Sequence, residues 1–292
     1  MILIAGANGH IGKEIVKKSI ERGLSARCLD LHPLTTEQCD ASKVETIQGD
    51  VTNLDTVREA VKGIETVLSV MGLRKDTAEM THEKLEHEGT RNLISASKES
   101  GVNHIMYISS MGVIKNVPVQ RLKVKWDAEQ MLIHSGIAYT IFRPSGYFTD
   151  FVEYFAPEIR KKGSFRVFDK GLIRLQPIAV EDVAETMLRA IGNERAKNKI
   201  FPLVGSEIFT LREILTMLGK VMGREVKIKS VPFWVMKLFF TLIRSKSGKD
   251  FLYRAKGDST CPPDVQREVQ ETFQIELKRL EPWLKATLPA DH

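Results

Sequence analysis

The feature that most constrains this chain is a glycine-rich turn directly after a short apolar segment. Residues 2–5 read Ile-Leu-Ile-Ala, and the chain continues as Gly6-Ala7-Asn8-Gly9-His10-Ile11-Gly12. Apolar residues then recur at helical spacing at Ile11, Ile15 and Ile20. This order predicts a buried strand, a tight turn and an amphipathic helix. Such a helix N-terminus attracts phosphate, because its free backbone N–H groups and its dipole both face the turn.

The glycines at 6, 9 and 12 have the spacing GxxGxxG, which differs from the GxGxxG spacing of the common dinucleotide fingerprint. Glycines alone can serve a purely conformational purpose. Their place between a strand and a helix nevertheless favours phosphate binding. We therefore predict that a dinucleotide contacts Gly6, Asn8, Gly9, His10, Ile11 and Gly12.

Apolar runs alternate with amphipathic segments through the first half of the chain. Predicted strands lie at 2–5, 26–31, 44–48, 66–71, 104–108 and 138–142, and helices at about 10–22, 56–62, 81–99 and 121–134. Strands that alternate with helices form parallel sheets, and the crossover connections are right-handed. The pattern predicts an α/β fold with a doubly wound parallel sheet.

The second half of the chain is less regular. Residues 147–163 look helical although they contain Pro157, 174–180 resemble a short strand, and 182–191 a helix. The remainder is a mixture of short strands and helices. We predict a dinucleotide-binding core at 1–146. Residues 147–292 would then supply the remaining core elements, at about 174–204, and a small C-terminal α+β subdomain on the substrate side.

Asp30 is the candidate that bears on cofactor choice. It stands at the end of the second predicted strand, 18 residues beyond Gly12. An acidic side chain at this distance can accept hydrogen bonds from the ribose hydroxyls of adenosine, and its charge repels a 2′-phosphate. We expect NAD for this reason. Arg27 and His32 lie close by in sequence and leave NADP open.

Two further strand ends are expected to meet the cofactor. Asp50 and Val51 follow the third strand, where a carboxylate can accept from the adenine amine. Ser69, Val70 and Met71 end the fourth strand, where small residues let the backbone approach the cofactor.

Several short motifs follow one another along residues 1 to about 190. They are Gly6-x-x-Gly9-x-x-Gly12, Gly49-Asp50-Val51, Gly89-Thr90-x-Asn92, Ile108-Ser109-Ser110, Tyr139-Thr140-Ile141-x-Arg143-Pro144 and Pro177-Ile178-x-Val180-x-Asp182-Val183-Ala184. Together they resemble the short-chain dehydrogenase/reductase superfamily, in its NmrA-like and epimerase/dehydratase-like extended branches. The resemblance implies a Rossmann fold, a nicotinamide cofactor in contact with Ser109 and Pro144, and an oxidoreductase or epimerase/dehydratase-like activity on a small organic substrate.

The usual catalytic set of that superfamily is a serine, a tyrosine and a lysine four residues after the tyrosine. The resemblance places Ser110 at the serine, to orient the substrate oxygen, and Lys125 at the lysine, to hold the nicotinamide ribose. Four residues before Lys125 stands Arg121, which does not exchange a proton near neutral pH. The catalytic tyrosine is therefore missing from its expected position.

Three functional interpretations stay open. Lys125 could itself act as the general acid or base. Tyr147 or Tyr154 could enter the site from the substrate side. Otherwise the protein binds a dinucleotide without turnover, as a redox sensor or as an assembly or regulatory protein.

Two other kinds of site are disfavoured. His82 and His87 stand five residues apart, whereas the helical zinc motif HExxH needs a spacing of four, so we predict no metal site. We interpret the polar run 82–87 as a solvated helix face. The pair Ser109-Ser110 lacks the G-x-S-x-G sequence of a hydrolase nucleophile.

The net charge of +6 predicts attraction to anions. Because the basic residues are dispersed, we favour a small-molecule substrate and cofactor phosphates over nucleic acid as partners. The apolar run 233–243 is too short to span a bilayer. We interpret it as a helix that packs the subdomain or lines a substrate cleft, and membrane-surface contact is the less favoured alternative. The sequence predicts no oligomeric state.

Cysteine usage bears on the compartment. Cys28, Cys39 and Cys261 have no paired spacing, and no basic segment precedes the first strand. An odd number of unpaired cysteines favours a reducing compartment, so we expect a cytoplasmic protein.

Overall fold

A computed structural model describes residues 1–34, 44–73, 76–242, 253 and 257–288. Cys39 and the basic residues Arg244 and Lys246 lie outside these ranges. The strands are β1 Ile2–Ala5, β2 Ala26–Asp30, β3 Glu45–Gln48, β4 Thr66–Ser69, β5 His104–Ile108, β6 Ala138–Pro144, β7 Ser164–Phe168, β8 Arg174–Leu175, β9 Lys199–Leu203, β10 Phe209–Thr210 and β11 Lys227–Val231.

Several of the helices directly follow a strand. They are α1 His10–Glu21, α2 Leu54–Ala60, α3 Thr90–Ser100, α4 Gln120–Ile133, α5 Phe148–Asp150, α6 Ala156–Lys162, α7 Val180–Ala190, α8 Leu211–Val221, α9 Phe233–Leu242, α10 Pro263–Phe273 and α11 Leu280–Thr287. Two π-helical segments, Lys84–Gly89 and Phe151–Phe155, precede α3 and α6. Within the described ranges, no helix is both long enough and apolar enough to cross a bilayer.

Seven strands form one parallel sheet in the order β3-β2-β1-β4-β5-β6-β9. The direction of winding reverses between β1 and β4, because β2 and β3 lie on one side of β1 and the later strands on the other. Ligands of open α/β sheets bind at the carboxyl ends of the strands beside such a reversal. The predicted doubly wound parallel sheet is confirmed.

Each face of the sheet is covered by its own core. Neighbouring side chains of a strand point to opposite faces, so Ile4 packs with α1 and α7 residues and Leu3 with α2 and α3 residues. The residues of α10 join the first of these cores through Phe273, which packs against the rings of Phe142 and Phe201. The sheet is therefore buried on both faces.

The later elements pack around a third core. β7 pairs with β11 in parallel and β8 with β10 in antiparallel orientation, and side chains such as Val167, Leu215 and Leu284 are buried between these strands, α8 and α11. The division of the chain at residues 146 and 147 stays a prediction, since β9 belongs to the main sheet although it follows residue 147.

Two predicted elements differ in the structure. The strand expected at 174–180 contains only Arg174 and Leu175, and the chain then passes by Gln176, whose amide nitrogen donates to the Gly205 carbonyl, to the start of α7. The helix expected over 147–163 is divided. Pro157 stands in the first turn of α6, where its missing N–H breaks no helical hydrogen bond.

Candidate functional site

The glycine turn is shaped by contacts that leave no room for larger residues. Gly6 has a φ of +92°, and a Cβ there would lie 3.0 Å from the backbone of Met71. A Cβ on Gly12 would lie 2.2 Å from the Gly6 carbonyl oxygen. The first turn of α1 therefore packs directly on the turn that leads out of β1, a position that only glycine permits.

The start of α1 suits a bound pyrophosphate. Gly9 precedes the helix and has no side chain that would cap it, and the first turn of α1 contains no acidic residue. The N–H groups of this turn and the positive end of the helix dipole are what a phosphate requires. The residues present thus fit a dinucleotide, and the contacts of Gly9, His10 and Ile11 with its phosphates stay a prediction.

Asp30 is fixed directly beside the glycine turn. Its Oδ2 accepts from the backbone N–H of Asn8 at 2.9 Å, and its Oδ1 accepts from that of His32 at 3.2 Å. The Asn8 side chain in turn donates to the carbonyls of His32 and Pro33. The structure therefore brings Asp30 and Asn8 together at the end of β2, with a carboxylate where the adenosine ribose is expected.

The loop after β3 is stabilised by α3. Asp50 Oδ1 accepts from the backbone N–H of Thr52 at 2.8 Å, so this carboxylate supports its own turn. The Asn92 side chain donates to the carbonyls of Val51 at 3.1 Å and Thr52 at 2.8 Å. The motif that contains Asn92 thus holds the loop expected to border the adenine.

The end of β4 lies against the glycine turn. The backbone N–H of Val70 donates to Ala5 O at 2.9 Å, and Met71 contacts the position of Gly6. The hydroxyl of Ser69 is buried and has no hydrogen-bond partner among the residues that the structure describes. Ser69, Val70 and Met71 therefore lie where the winding of the sheet reverses, between β1 and β4.

Ser109 is hydrogen-bonded to the buried ion pair between Glu129 and Arg143. Its Oγ donates to Glu129 Oε1 at 2.5 Å, and Arg143 donates to the same carboxylate through Nε at 2.9 Å and a terminal nitrogen at 2.5 Å. Glu129 is completely buried, so the paired arginine is what makes its charge tolerable there. Ser109, which is expected at the cofactor, is thus bonded to Glu129, a partner that no sequence motif indicates.

Ser110 and Pro144 come together at the carboxyl ends of β5 and β6. Ser110 Oγ is half-buried and donates to its neighbour, the Met111 carbonyl, at 3.2 Å. The backbone N–H of Met111 donates to Pro144 O at 2.9 Å. The predicted substrate-orienting serine and the predicted nicotinamide neighbour therefore share one edge of the sheet.

Lys125 is held by three acceptors. Its Nζ donates to Glu86 Oε1 at 2.6 Å, to Ile108 O at 3.1 Å and to the Tyr107 hydroxyl at 3.4 Å. The Tyr107 hydroxyl donates to the other Glu86 oxygen at 2.5 Å. Burial and the adjacent Glu86 carboxylate raise the pKa of Tyr107 well above its usual value, which keeps the phenol protonated. We call Glu86, Tyr107 and Lys125 the lysine cluster.

Two members of the lysine cluster were missed by the sequence analysis. Glu86 lies in a polar run that was interpreted as a solvated helix face, yet its side chain is only 2 % exposed. It belongs to the π-helical segment Lys84–Gly89, a conformation that often occurs at functional sites. Leu85 is the one apolar side chain of that segment, so the residue pattern gives no signal for an inward-facing carboxylate.

The two tyrosines considered as replacements lie after β6. Tyr147 is half-buried, and its burial raises the pKa of the phenol well above the usual range. Tyr154 lies in the π-helical segment Phe151–Phe155 and lines an open cavity of about 610 Å³ together with Phe165, Arg166 and Lys229. Arg121 occupies the expected tyrosine position on α4.

His10 connects the glycine turn to the same π-helical segment. Its Nε2 lies 3.1 Å from Glu153 Oε1, and both side chains are partly exposed. The first residue of α1 is thus in contact with the chain segment that follows β6.

Comparisons with known proteins agree with this geometry. The protein family described as NAD(P)H-binding matches residues 6–194. The photosystem II assembly factor Ycf39 of Cyanophora paradoxa is 24 % identical over 303 residues, which cover 96 % of this chain and 94 % of that protein. The NAD(P)H azoreductase of Xenophilus azovorans is 27 % identical over 227 residues, which cover 78 % of this chain and 76 % of that protein.

Among solved structures, the NADPH-dependent quinone oxidoreductase QOR2 of Escherichia coli, complexed with NADPH, superposes with a TM-score of 0.78 at 21 % identity, covering 98 % of this chain and 99 % of that chain. The likeness shows that the two chains share a fold. The family match over residues 6–194 confirms the expectation of a nicotinamide dinucleotide. The chain belongs to the NAD(P)H-binding family, which agrees with the predicted resemblance to the extended short-chain dehydrogenase/reductase superfamily.

Proposed function

We propose that this protein is an oxidoreductase that uses NAD(H) to act on a small organic substrate. The observation that carries the proposal is the glycine turn, where Gly12 has no room for a Cβ and Asp30 is fixed beside Asn8. The similarity to an azoreductase supports a reductase rather than an epimerase.

Asp30 supports NAD(H) rather than NADP(H). Two backbone N–H groups hold its carboxylate beside the turn, and a 2′-phosphate would bring a second negative charge to the same place. The neighbour QOR2 binds NADPH, so the preference has to come from residues of this chain and not from its fold.

When bound, a reduced nicotinamide supplies a hydride. In this proposal Pro144 borders the nicotinamide and Ser110 donates a hydrogen bond to the substrate oxygen. Lys125 has three N–H donors, and the longest of its three bonds, 3.4 Å, runs to Tyr107. That is the bond which a ribose hydroxyl would replace at least cost, while Glu86 and Ile108 keep the ammonium in place.

A second candidate function is dinucleotide binding without turnover, as in a redox sensor or an assembly factor. The lysine cluster favours it, because every donor of Lys125 already has an acceptor and Arg121 provides no exchangeable proton. The similarity to an assembly factor agrees with this candidate.

Titration calorimetry with NADH, NADPH, NAD⁺ and NADP⁺ tests cofactor choice first. We expect NADH to bind at least about tenfold more tightly than NADPH, and Asp30→Asn, which keeps the side-chain size and removes the charge, to reduce that difference. Equal affinities in the unchanged protein would contradict the preference.

Turnover is then measured as loss of NADH absorbance with quinones, azo dyes and carbonyl compounds. The oxidoreductase proposal expects turnover with at least one acceptor, and a loss of about a hundredfold in Ser110→Ala and Lys125→Met. Tight NADH binding without turnover on any acceptor would instead support the second candidate.

A further inference from the structure

The open cavity beside Tyr154 lies at the small parallel sheet of β7 and β11. It is bordered by the end of the π-helical segment Phe151–Phe155, by α6 and by both strands. Its volume of about 610 Å³ falls within the range of small-molecule sites, about 300–1,000 Å³. Apart from Tyr154, none of its lining residues is a predicted cofactor or catalytic residue. We call it the β7–β11 cavity.

Aromatic rings form part of the wall of this cavity. The rings of Phe155 and Phe165 lie side by side, with centroids 4.8 Å apart and planes inclined at 37°. Both are partly buried against the third core, where Phe151 packs edge-on against Phe155. Tyr154 adds a third ring, which is 50 % exposed. Two fixed rings and one exposed ring thus offer aromatic surface to a planar ligand.

Two cations stand side by side at the same cavity. Lys229 of β11 is the register partner of Arg166 of β7, and both side chains are exposed and line the cavity. Among the residues that the structure describes, neither side chain forms an ion pair with an acidic group. Like charges at paired strand positions repel each other. An anion placed between Arg166 and Lys229 would therefore relieve a repulsion that already exists.

The acidic residue at the cavity does not balance these two cations. Glu158 of α6 accepts from Lys162 Nζ, one helical turn later on the same helix, and both residues line the cavity. Their charges cancel, so the charges of Arg166 and Lys229 remain in excess among the described lining residues. Ser164 of β7 adds a hydroxyl that can donate a hydrogen bond. The cavity thus combines aromatic rings with a net positive charge.

We propose that the β7–β11 cavity binds a small aromatic anion, a planar ring system that carries a carboxylate, sulfonate or phosphate group. Its ring would stack on Tyr154, Phe155 and Phe165. Its anionic group would accept charge-assisted hydrogen bonds from Arg166 and Lys229. The inference goes beyond the proposed oxidoreductase function and does not rest on it.

The combination of rings and charge selects this ligand class. Inorganic phosphate would pair with the two cations but would leave the aromatic rings in contact with water. A neutral aromatic molecule would cover the rings but would leave the two positive charges unbalanced. An aromatic anion satisfies both properties at once.

The test is titration calorimetry of the purified protein with naphthalene-2-sulfonate. The comparison ligands are naphthalene-2-sulfonamide, which has the same rings without the charge, and methanesulfonate, which has the charge without the rings. We expect the aromatic sulfonate to bind at least about tenfold more tightly than either, whether or not saturating NADH is present. Equal affinity for the sulfonamide, or displacement of the sulfonate by NADH, would overturn the proposal.

A double variant, Arg166→Gln with Lys229→Gln, tests the two cations. We expect it to bind naphthalene-2-sulfonate at least about tenfold more weakly, with no fall in its unfolding midpoint. The matched control is Arg195→Gln with Lys199→Gln, which removes two exposed cations elsewhere and is expected to bind the sulfonate as before. Unchanged affinity in the cavity variant, or an equal loss in the control, would rule out the assigned anion contacts.

An exchange of the two cations guards against a folding defect. Arg166→Lys with Lys229→Arg keeps both charges at the cavity, so we expect its affinity for the sulfonate to stay within about threefold of the unchanged protein. A loss as large as that of the glutamine variant would show that the charges themselves do not hold the anion.

Tyr154→Leu tests the ring contact, because leucine keeps an apolar side chain but has no aromatic face. We expect binding of naphthalene-2-sulfonate to weaken by about fivefold and binding of methanesulfonate to stay unchanged. Full affinity of Tyr154→Leu for the aromatic sulfonate would contradict a ligand stacked on this wall of the cavity.

Discussion

The imidazole of His10 lies 3.1 Å from the carboxylate of Glu153, so the residue that begins α1 is in contact with an acidic side chain from the segment after β6. Glu153 thus brings a negative charge close to the helix N-terminus where a pyrophosphate is predicted, and negative groups near each other repel. We expect Glu153→Gln to tighten NADH binding by about threefold, since the helix-end effect of one charge is below about 1 kcal/mol. Calorimetry or NADH fluorescence measures the change.

The control for this variant is Glu158→Gln. Glu158 lies on α6 and pairs with Lys162, so its loss should leave NADH affinity unchanged. Weaker NADH binding in Glu153→Gln would mean that Glu153 supports the glycine turn rather than opposing the phosphates.

The close packing at Gly12 predicts a sharp steric effect. In Gly12→Ala the new Cβ would lie 2.2 Å from a backbone oxygen, and neither group can move without opening the turn. We expect a loss of NADH affinity of more than about tenfold, and a lower unfolding midpoint. Gly257→Ala is the control, because its Cβ would meet nothing within 4 Å. Near-normal NADH binding by Gly12→Ala would refute the predicted pyrophosphate position.

The lysine cluster predicts a strong energetic coupling. Glu86→Gln leaves the ammonium of Lys125 without its buried counter-charge, and Lys125→Met leaves the carboxylate without its own. Each change should lower the free energy of unfolding by about 3 kcal/mol. We expect the double variant to be clearly more stable than the sum of the single losses implies. Urea unfolding of the four proteins measures this, and additive losses would show that the two charges do not interact.

Asp182 predicts a dependence of stability on pH. Burial raises its pKa to about 6 although the backbone N–H of Lys278 donates to it at 2.8 Å. The folded chain therefore holds this proton more tightly than the unfolded chain, and the free energy of unfolding falls as pH rises from about 4 to 6. Asp182→Asn should remove up to about 3 kcal/mol of that fall.

The free energies of unfolding of the unchanged protein and of Asp182→Asn have to be compared at the same pH. His104 also makes stability depend on pH, but in the direction opposite to Asp182. Burial lowers the pKa of His104 to about 4, so the unfolded chain binds this proton more tightly than the folded chain. The contribution of the neutral imidazole to the free energy of unfolding is therefore lost as pH falls from about 6.5 to 4. Urea unfolding midpoints of both proteins are measured at pH 4.5 and pH 7.5. Because both proteins contain His104, the difference between them gives the effect of Asp182 alone. If the free energy of unfolding of Asp182→Asn changed with pH as it does in the unchanged protein, the pH dependence would not come from Asp182.

The main sheet was predictable because its signals are local. Strands β1, β4, β5 and β6 are short, mainly apolar runs, and helices α1 and α3 have a clear helical periodicity of apolar residues. The same holds for the glycine turn and Asp30, since a strand, a turn and a second strand fix their relative positions within 30 residues. The fold alone thus brings Asn8 and Asp30 together.

The lysine cluster was not predictable, because its contacts depend on tertiary packing. Glu86 and Lys125 are separated by 39 residues, and the π-helical geometry at Glu86 decides which way its carboxylate points. Helix α9 shows the same limit. Its apolarity indicated a helix, whereas the neighbours of each face depend on elements distant in sequence.

The position of Phe273 has a consequence for synthesis of the protein. Its ring packs against Phe142 and Phe201, at centroid distances of 5.8 and 4.9 Å, in the core that also contains Ile4. A nascent chain has therefore completed all seven strands of the main sheet long before α10 leaves the ribosome. During that interval α1 and α7 can cover most of this face, but the part around Phe142 and Phe201 stays open to water and to other chains. The emergence of α10, rather than formation of the sheet, closes this part of the core, and chaperone demand should peak just before it.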